Sequence, residues 1–341
     1  MKRKNYVYID VLNILACLCV IGMHCNGIVH RFELIPAWWR SLAVEVLGYW
    51  AVPGFCMISG ATMMTYRQRY ETGTFIKRRL KKVGIPLLFW TTLFYAYKRL
   101  NGSIQWAGMR DLLDLLLNFR VESVYWFFGP LFMIYASLPV LSKISEDRKL
   151  LKYMIGIGVT TVSVLPFLCN LLGVSFNGHF SFPMVGGYIL YPLIGYYLHT
   201  TDLKRWQRWL IYFLGISGAA IRYFHTGYTF LVSGAASKIT WGYLNLPALL
   251  LSVAVFVFVK SICEYPWFQK ESVSAKFRSL ASASFGIYLI HVFVMNVLTA
   301  RLGLDLYGYV RQFALPFVIY GMCLCIVKLV RLHKFGRWIF P

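Results

Sequence analysis

Runs of some twenty predominantly apolar residues recur along this chain, and no other feature constrains its fold as strongly. A helix of that length crosses a hydrocarbon core of ~30 Å while satisfying its own backbone internally. Ten such runs are predicted, over roughly residues 7–29, 38–64, 83–97, 124–141, 151–172, 182–198, 209–224, 239–262, 281–300 and 313–332. The third is short. With 58% hydrophobic and 14% charged residues and a mean hydropathy of +0.59, the composition offers no segment for a separate soluble domain. The expectation is one all-α, polytopic membrane domain over residues 1–341 with about ten transmembrane helices.

Lys and Arg concentrate in cytoplasmic loops, so their distribution sets the orientation. An inward N-terminus places Lys2, Arg3 and Lys4, the run from Arg67 to Lys82, and most of the 35 basic residues inside, which puts both termini in the cytoplasm. The net charge of +22 then reflects this bias and attraction to anionic lipid, and no nucleic-acid partner is expected. The eight cysteines show neither a disulfide framework nor CxxC or Cys/His metal spacing, so no metal is expected. The first apolar run lacks a small-residue cleavage site, so no cleaved leader is expected. A multi-pass location in a bacterial plasma membrane fits these features.

Polar groups inside the apolar runs carry the functional information, because each costs free energy unless paired or facing a wet cavity. His24, in "DVLNILACLCVIGMHCNG", lies about 9 Å below the outer end of its helix, and Glu45 about 13 Å below the same surface on the next. A carboxylate at that depth can fix the imidazole tautomer and stabilise its protonated form, as a general base requires. Packed, hydrogen-bonded structural roles account for the two residues equally well. His291 falls near the middle of the ninth run, where a histidine is costly unless it lines a cavity. Asn13 and Asp10 occupy the inner part of the first helix, and Asp10 also suits a helix N-terminus.

Between the second and third runs, "TFIKRRLKKVGIP" and its flanks hold seven positive charges from Arg67 to Lys82. That exceeds what topology alone uses. Arginines offer bidentate phosphate contacts, so the cluster reads either as lipid anchoring or as the entry for a polyanionic donor. Trp126, in "ESVYWFFGP", reads as an aromatic-belt anchor or a site residue. His30, Glu33, Asp111 and Asp114 fall in outer loops and need no special role.

The segments "YIDVLNILACLCVIGMH", "WAVPGFCMISGATMM", "FIKRRLKKVGIPLLFW", "YWFFGPLFMIYASLPVL", "GGYILYPLIGYYL" and "SFGIYLIH" resemble, in order and spacing, motifs of the acyltransferase-3 membrane family. The resemblance spans nearly the whole chain. It implies ten core helices and transfer of an acyl group, usually acetyl from acetyl-CoA, to hydroxyls of cell-surface glycans. It also implies that His24 is essential and that Arg78 and Arg79 contact coenzyme A phosphates. Two departures stand out. The family's first helix carries an arginine eleven residues before its histidine, where this chain has Asn13. Its His-Leu-Trp motif reads Val124, Tyr125, Trp126 here, so only the tryptophan carries over.

The expected reaction is membrane O-acylation. His24 is its base, supported by Glu45, with Asn13 or Trp126 as donors to the oxyanion or to the pantetheine arm. Arg78, Arg79, Trp126 and His291 mark the donor's path. Direct transfer and an acyl-histidine intermediate both fit. Acetyl and succinyl are both open as the acyl group, and peptidoglycan, exopolysaccharide, teichoic acid or a lipid-linked precursor as the acceptor. A proton-coupled transporter or exporter of glycan intermediates is the alternative, since intramembrane His and Glu suit that too. It leaves the dense basic run unexplained.

Overall fold

The structure, a computed structural model, describes residues 6–180, 182–234 and 238–341; Lys2, Arg3 and Lys4 lie outside them. Among the described residues, all regular structure is helical. Six stretches are long and apolar enough to cross a membrane: Val7–Cys25, Pro36–Gln68, Ser123–Ile144, Arg148–Leu171, Ser284–Leu302 and Val310–Val330. Other predicted runs are helical but fall short of that standard. Leu246–Ile262 has 17 residues, Leu190–His199 has ten, and Arg205–Ser233 carries three arginines within its length.

In chain order the helices begin with α1 (Val7–Cys25), α2 (Pro36–Gly48) and α3 (Ala51–Met63), followed by α4 (Thr72–Arg79) and α5 (Ile85–Leu100). The run predicted as a single span over 38–64 falls within the one stretch Pro36–Gln68 and is built of two helices. Pro53 has no N–H to bond the carbonyl of Tyr49, so the helix breaks at Tyr49 and Trp50 and restarts. After α6 (Met109–Leu117) come α7 (Phe128–Ile144), α8 (Arg148–Gly158), α9 (Leu165–Leu171), α10 (Leu190–His199), α11 (Arg205–Ser233) and α12 (Leu246–Ile262). The chain closes with α13 (Pro266–Gln269), α14 (Glu271–Ala281), α15 (Ser284–Leu302), α16 (Leu315–Val330) and α17 (Gly336–Ile339).

Three wide π-type turns, Leu80–Gly84, Val159–Val164 and Val310–Ala314, each run directly into a helix whose second residue is proline: Pro86, Pro166 and Pro316. The proline ring clashes with the carbonyl four residues back, and a widened turn relieves the clash without ending the helix. The basic run consequently continues without a break into the apolar α5. The aspartates assigned to an outer loop lie instead on α6, none of whose residues is buried; Asp114 pairs with Arg120 at 2.9 Å.

Packing depends on close backbone approach. A Cβ on Gly60 of α3 would stand 1.9 Å from the Pro192 carbonyl oxygen of α10, and one on Gly195 would stand 2.1 Å from that of Met57. Hydrocarbon gives apolar side chains no reason to associate, so small residues that let helices touch supply the contact. The main core gathers buried residues of α1, α3, α7, α10, α12, α15 and α16. A smaller cluster of Val29, Trp38, Leu42, Val46 and Phe230 closes the end bearing the α1–α2 connection.

Candidate active site

Two cavities are stacked along α1. The larger, about 850 Å³, is lined by Asn13 together with Arg69, Arg79, Lys82 and Arg278. The smaller, about 150 Å³, is lined by His24, Glu45, His30, Trp126 and Tyr243. Whole small-molecule ligands occupy clefts of roughly 300–1,000 Å³. The larger cavity meets that size; the smaller holds only the end of such a ligand.

The basic run divides its work. Arg67 donates from Nε to Ser142 Oγ at 2.9 Å and from Nη2 to the Pro139 carbonyl at 3.1 Å, tying the end of α3 to α7. Pro139 itself lies inside α7. Arg78 stacks on Tyr70, 4.2 Å from the ring centre, and does not line the cavity. Arg79 does, and its buried Nε has no hydrogen-bond partner. The expected pair is therefore split: neighbours on a helix point about 100° apart, and packing selects Arg79. Arg278 arrives from α14, remote in sequence, to complete the basic lining.

Asn13 lies in this larger cavity, and its amide donates to the Ile9 carbonyl at 3.1 Å. Eleven residues along the helix put it about 16 Å from His24. Its expected role as an oxyanion donor beside that histidine does not fit this distance.

At the smaller cavity, His24 meets a different neighbour from the one expected. Its ring centre lies 5.2 Å from that of His291, inclined at 43°. His291 is 1% exposed, and its Nδ1 lies 2.7 Å from the Tyr288 carbonyl. A carbonyl only accepts, so Nδ1 carries the proton and Nε2 keeps its lone pair. That Nε2 has no partner among the described residues. His291 thus belongs with His24 rather than with the cations of the larger cavity.

Glu45 shares the smaller cavity with His24, yet its ion pair is with Arg222 of α11, at 3.7 Å. The pairing expected from depth alone gives way to this one. Arg222 is 2% exposed, and its guanidinium carbon sits 3.3 Å from the centre of the Tyr49 ring. A charged residue inside the apolar run 209–224 is the signal in the sequence that points to Arg222. Tyr49 stacks on Tyr243 at 4.0 Å, and Tyr243 on Trp126 at 5.6 Å, both nearly parallel. His30 is shifted below the ordinary histidine value, by partial burial first and then by Arg222.

The turn that presents Trp126 is clamped to α15. The Tyr125 hydroxyl donates to the Leu289 carbonyl at 3.0 Å, and that of Tyr288 donates to the Val124 carbonyl. Tyr125 stands where the resembling family has leucine, so here the motif's middle position serves as an anchor. Trp126, 39% exposed, lines the smaller cavity.

Compared with known families, the chain matches a family model described as an acyltransferase domain over residues 6–332, nearly its full length. No curated protein and no solved structure matches it.

Proposed function

We infer the reaction from one premise: the chain belongs to the acyltransferase-3 family. It is a membrane acyltransferase. The proposed reaction moves an acyl group, acetyl in the first instance, from cytoplasmic acyl-CoA to a hydroxyl of a cell-surface glycan or its lipid-linked precursor. The protein would sit in a bacterial plasma membrane, crossing it about ten times with both termini inside. The observation that carries this reading is the stacking of two unlike cavities along α1, one lined with cations and one with His24.

Arg79, with Arg69, Lys82 and Arg278, supplies the charge that coenzyme A phosphates need. The pantetheine arm, a thin chain, then extends along α1 toward His24. The hydroxyl oxygen attacks the thioester carbonyl carbon as His24 takes its proton. The new C–O bond forms, the C–S bond breaks, and the thiolate leaves with the proton that His24 returns. While His24 holds that proton, the lone pair on His291 Nε2 stabilises the imidazolium. Trp126 ends the stack of Tyr49, Tyr243 and Trp126, and its ring, which lines the smaller cavity, is a face suited to a sugar ring.

Inverted membrane vesicles from cells carrying the protein test the reading, because they expose the cytoplasmic face and retain native acceptors. Acetyl-CoA labelled in its acyl group should leave label on vesicle glycans. His24→Ala vesicles should leave none. Equal labelling by the two preparations removes His24 from the reaction.

A further inference from the structure

Three residues line both cavities: Phe55 of α3, Phe127 just before α7, and Tyr288 of α15. They come from three separate elements and touch in series, Phe55 to Phe127 to Tyr288. Phe55 and Phe127 have centroids 6.3 Å apart, and Phe127 and Tyr288 likewise 6.3 Å at 72°. Tyr288 continues the series, lying 5.9 Å from His291, which faces His24. The partition between the cation-lined and histidine-lined spaces is therefore aromatic. Its one hydroxyl, on Tyr288, is already committed to the Val124 carbonyl.

We propose that Phe55, Phe127 and Tyr288 form a collar that selects the acyl group by cross-section and charge, passing small, unbranched, uncharged acyl groups to His24. The proposal rests on the acyl-transfer reading above and names the substrate class for that site. The acyl group is the leading end of the donor, so it meets the collar before the arm does. A gap wide enough for the unbranched cysteamine end of the arm admits a straight acyl group of similar width. A branch at the carbon next to the carbonyl adds a methyl to the width that must pass the three rings. A terminal carboxylate, as in succinyl, meets ring faces and edges with no free donor, and buried charge without a partner is strongly disfavoured.

Butyryl and isobutyryl contain the same atoms, so comparing them removes differences in hydrophobicity. Inverted vesicles are supplied with labelled acetyl-, butyryl-, isobutyryl- or succinyl-CoA, and the rate of label transfer to glycan is measured at low donor concentration. Coenzyme A binding is measured in parallel, to separate donor affinity from delivery. The parent should transfer butyryl at least about tenfold faster than isobutyryl, the scale set by one misplaced methyl in a shaped pocket. Succinyl should be slower still.

Phe55→Ala should shrink the butyryl preference by about fivefold or more, and because both donors carry the same coenzyme A, a change in its binding cannot alter the ratio. Phe55→Leu removes less volume and guards against misfolding; it should shift the preference the same way by less. A parent that transfers butyryl and isobutyryl equally overturns the collar. So does a preference that stays the same in both variants. Vesicles in which the parent transfers none of the four donors overturn acyl transfer itself, a different outcome from the failure of the filter.

Discussion

The imidazole rings of His24 on α1 and His291 on α15 face each other 5.2 Å apart, at the end of the cavity system away from the cations. The bond from His291 Nδ1 to the Tyr288 carbonyl fixes which nitrogen keeps its lone pair. The other nitrogen, Nε2, has no hydrogen-bond partner among the described residues.

If the two rings act as one unit, their substitutions will not add. His24→Ala should lower kcat by roughly 10²-fold or more, the usual contribution of a positioned base. His291→Ala should lower kcat and leave the KM for acetyl-CoA within about twofold, since it touches no phosphate. The double variant should lose no more than His24→Ala alone. Losses that multiply in steady-state assays would assign the histidines separate roles.

Glu45 and Arg222 should behave as a pair in stability. Removing one partner strands a buried charge, at a cost of about 3–5 kcal/mol. Glu45→Gln and Arg222→Met should each lower the thermal unfolding temperature in detergent, and the double variant should recover most of the loss. A double variant as unstable as the sum of the singles means that the 3.7 Å contact carries no coupling.

The two neighbouring arginines of the basic run should differ. Arg79→Ala should raise the acetyl-CoA KM more than it lowers kcat, because phosphate contacts hold ground and transition states alike. Arg78→Ala should change the KM little, since Arg78 lies on Tyr70 outside the cavity. Added salt should weaken donor binding in the parent more than in Arg79→Ala. Dephospho-coenzyme A thioester gives the finer comparison. If parent and Arg79→Ala lose the same factor with it, Arg79 contacts a phosphate other than the 3′ group, or none.

Gly60 should tolerate no side chain. A Cβ there meets the Pro192 carbonyl oxygen at 1.9 Å, so Gly60→Ala must push α3 and α10 apart. Overpacking typically costs about 1–3 kcal/mol, and the fall should appear in thermal unfolding. Gly73→Ala is the control: its Cβ would meet nothing within 4 Å on α4. It should be neutral or stabilising by up to about 1 kcal/mol. Equal destabilisation by both would mean that helix contact at Gly60 is not the cause.

The sequence by itself determined what depends on neighbours along the chain. Apolar runs fixed a helical membrane protein, and ordered motifs identified the family. His24, Glu45 and Trp126 were legible as candidates because polar or aromatic groups stood out in apolar surroundings, and the structure brings all three to one cavity. What the tertiary structure decided was partnership. Each step along a helix turns a side chain by about 100°, and the rotation of one helix against another follows from packing over its whole length. Arg222 therefore reached Glu45 from a helix far along the chain, His291 rather than Glu45 faced His24, and Arg79 rather than Arg78 entered the cavity. The aromatic collar follows from the same cause: Phe55, Phe127 and Tyr288 are ordinary apolar residues in sequence, and only three converging elements make them a partition.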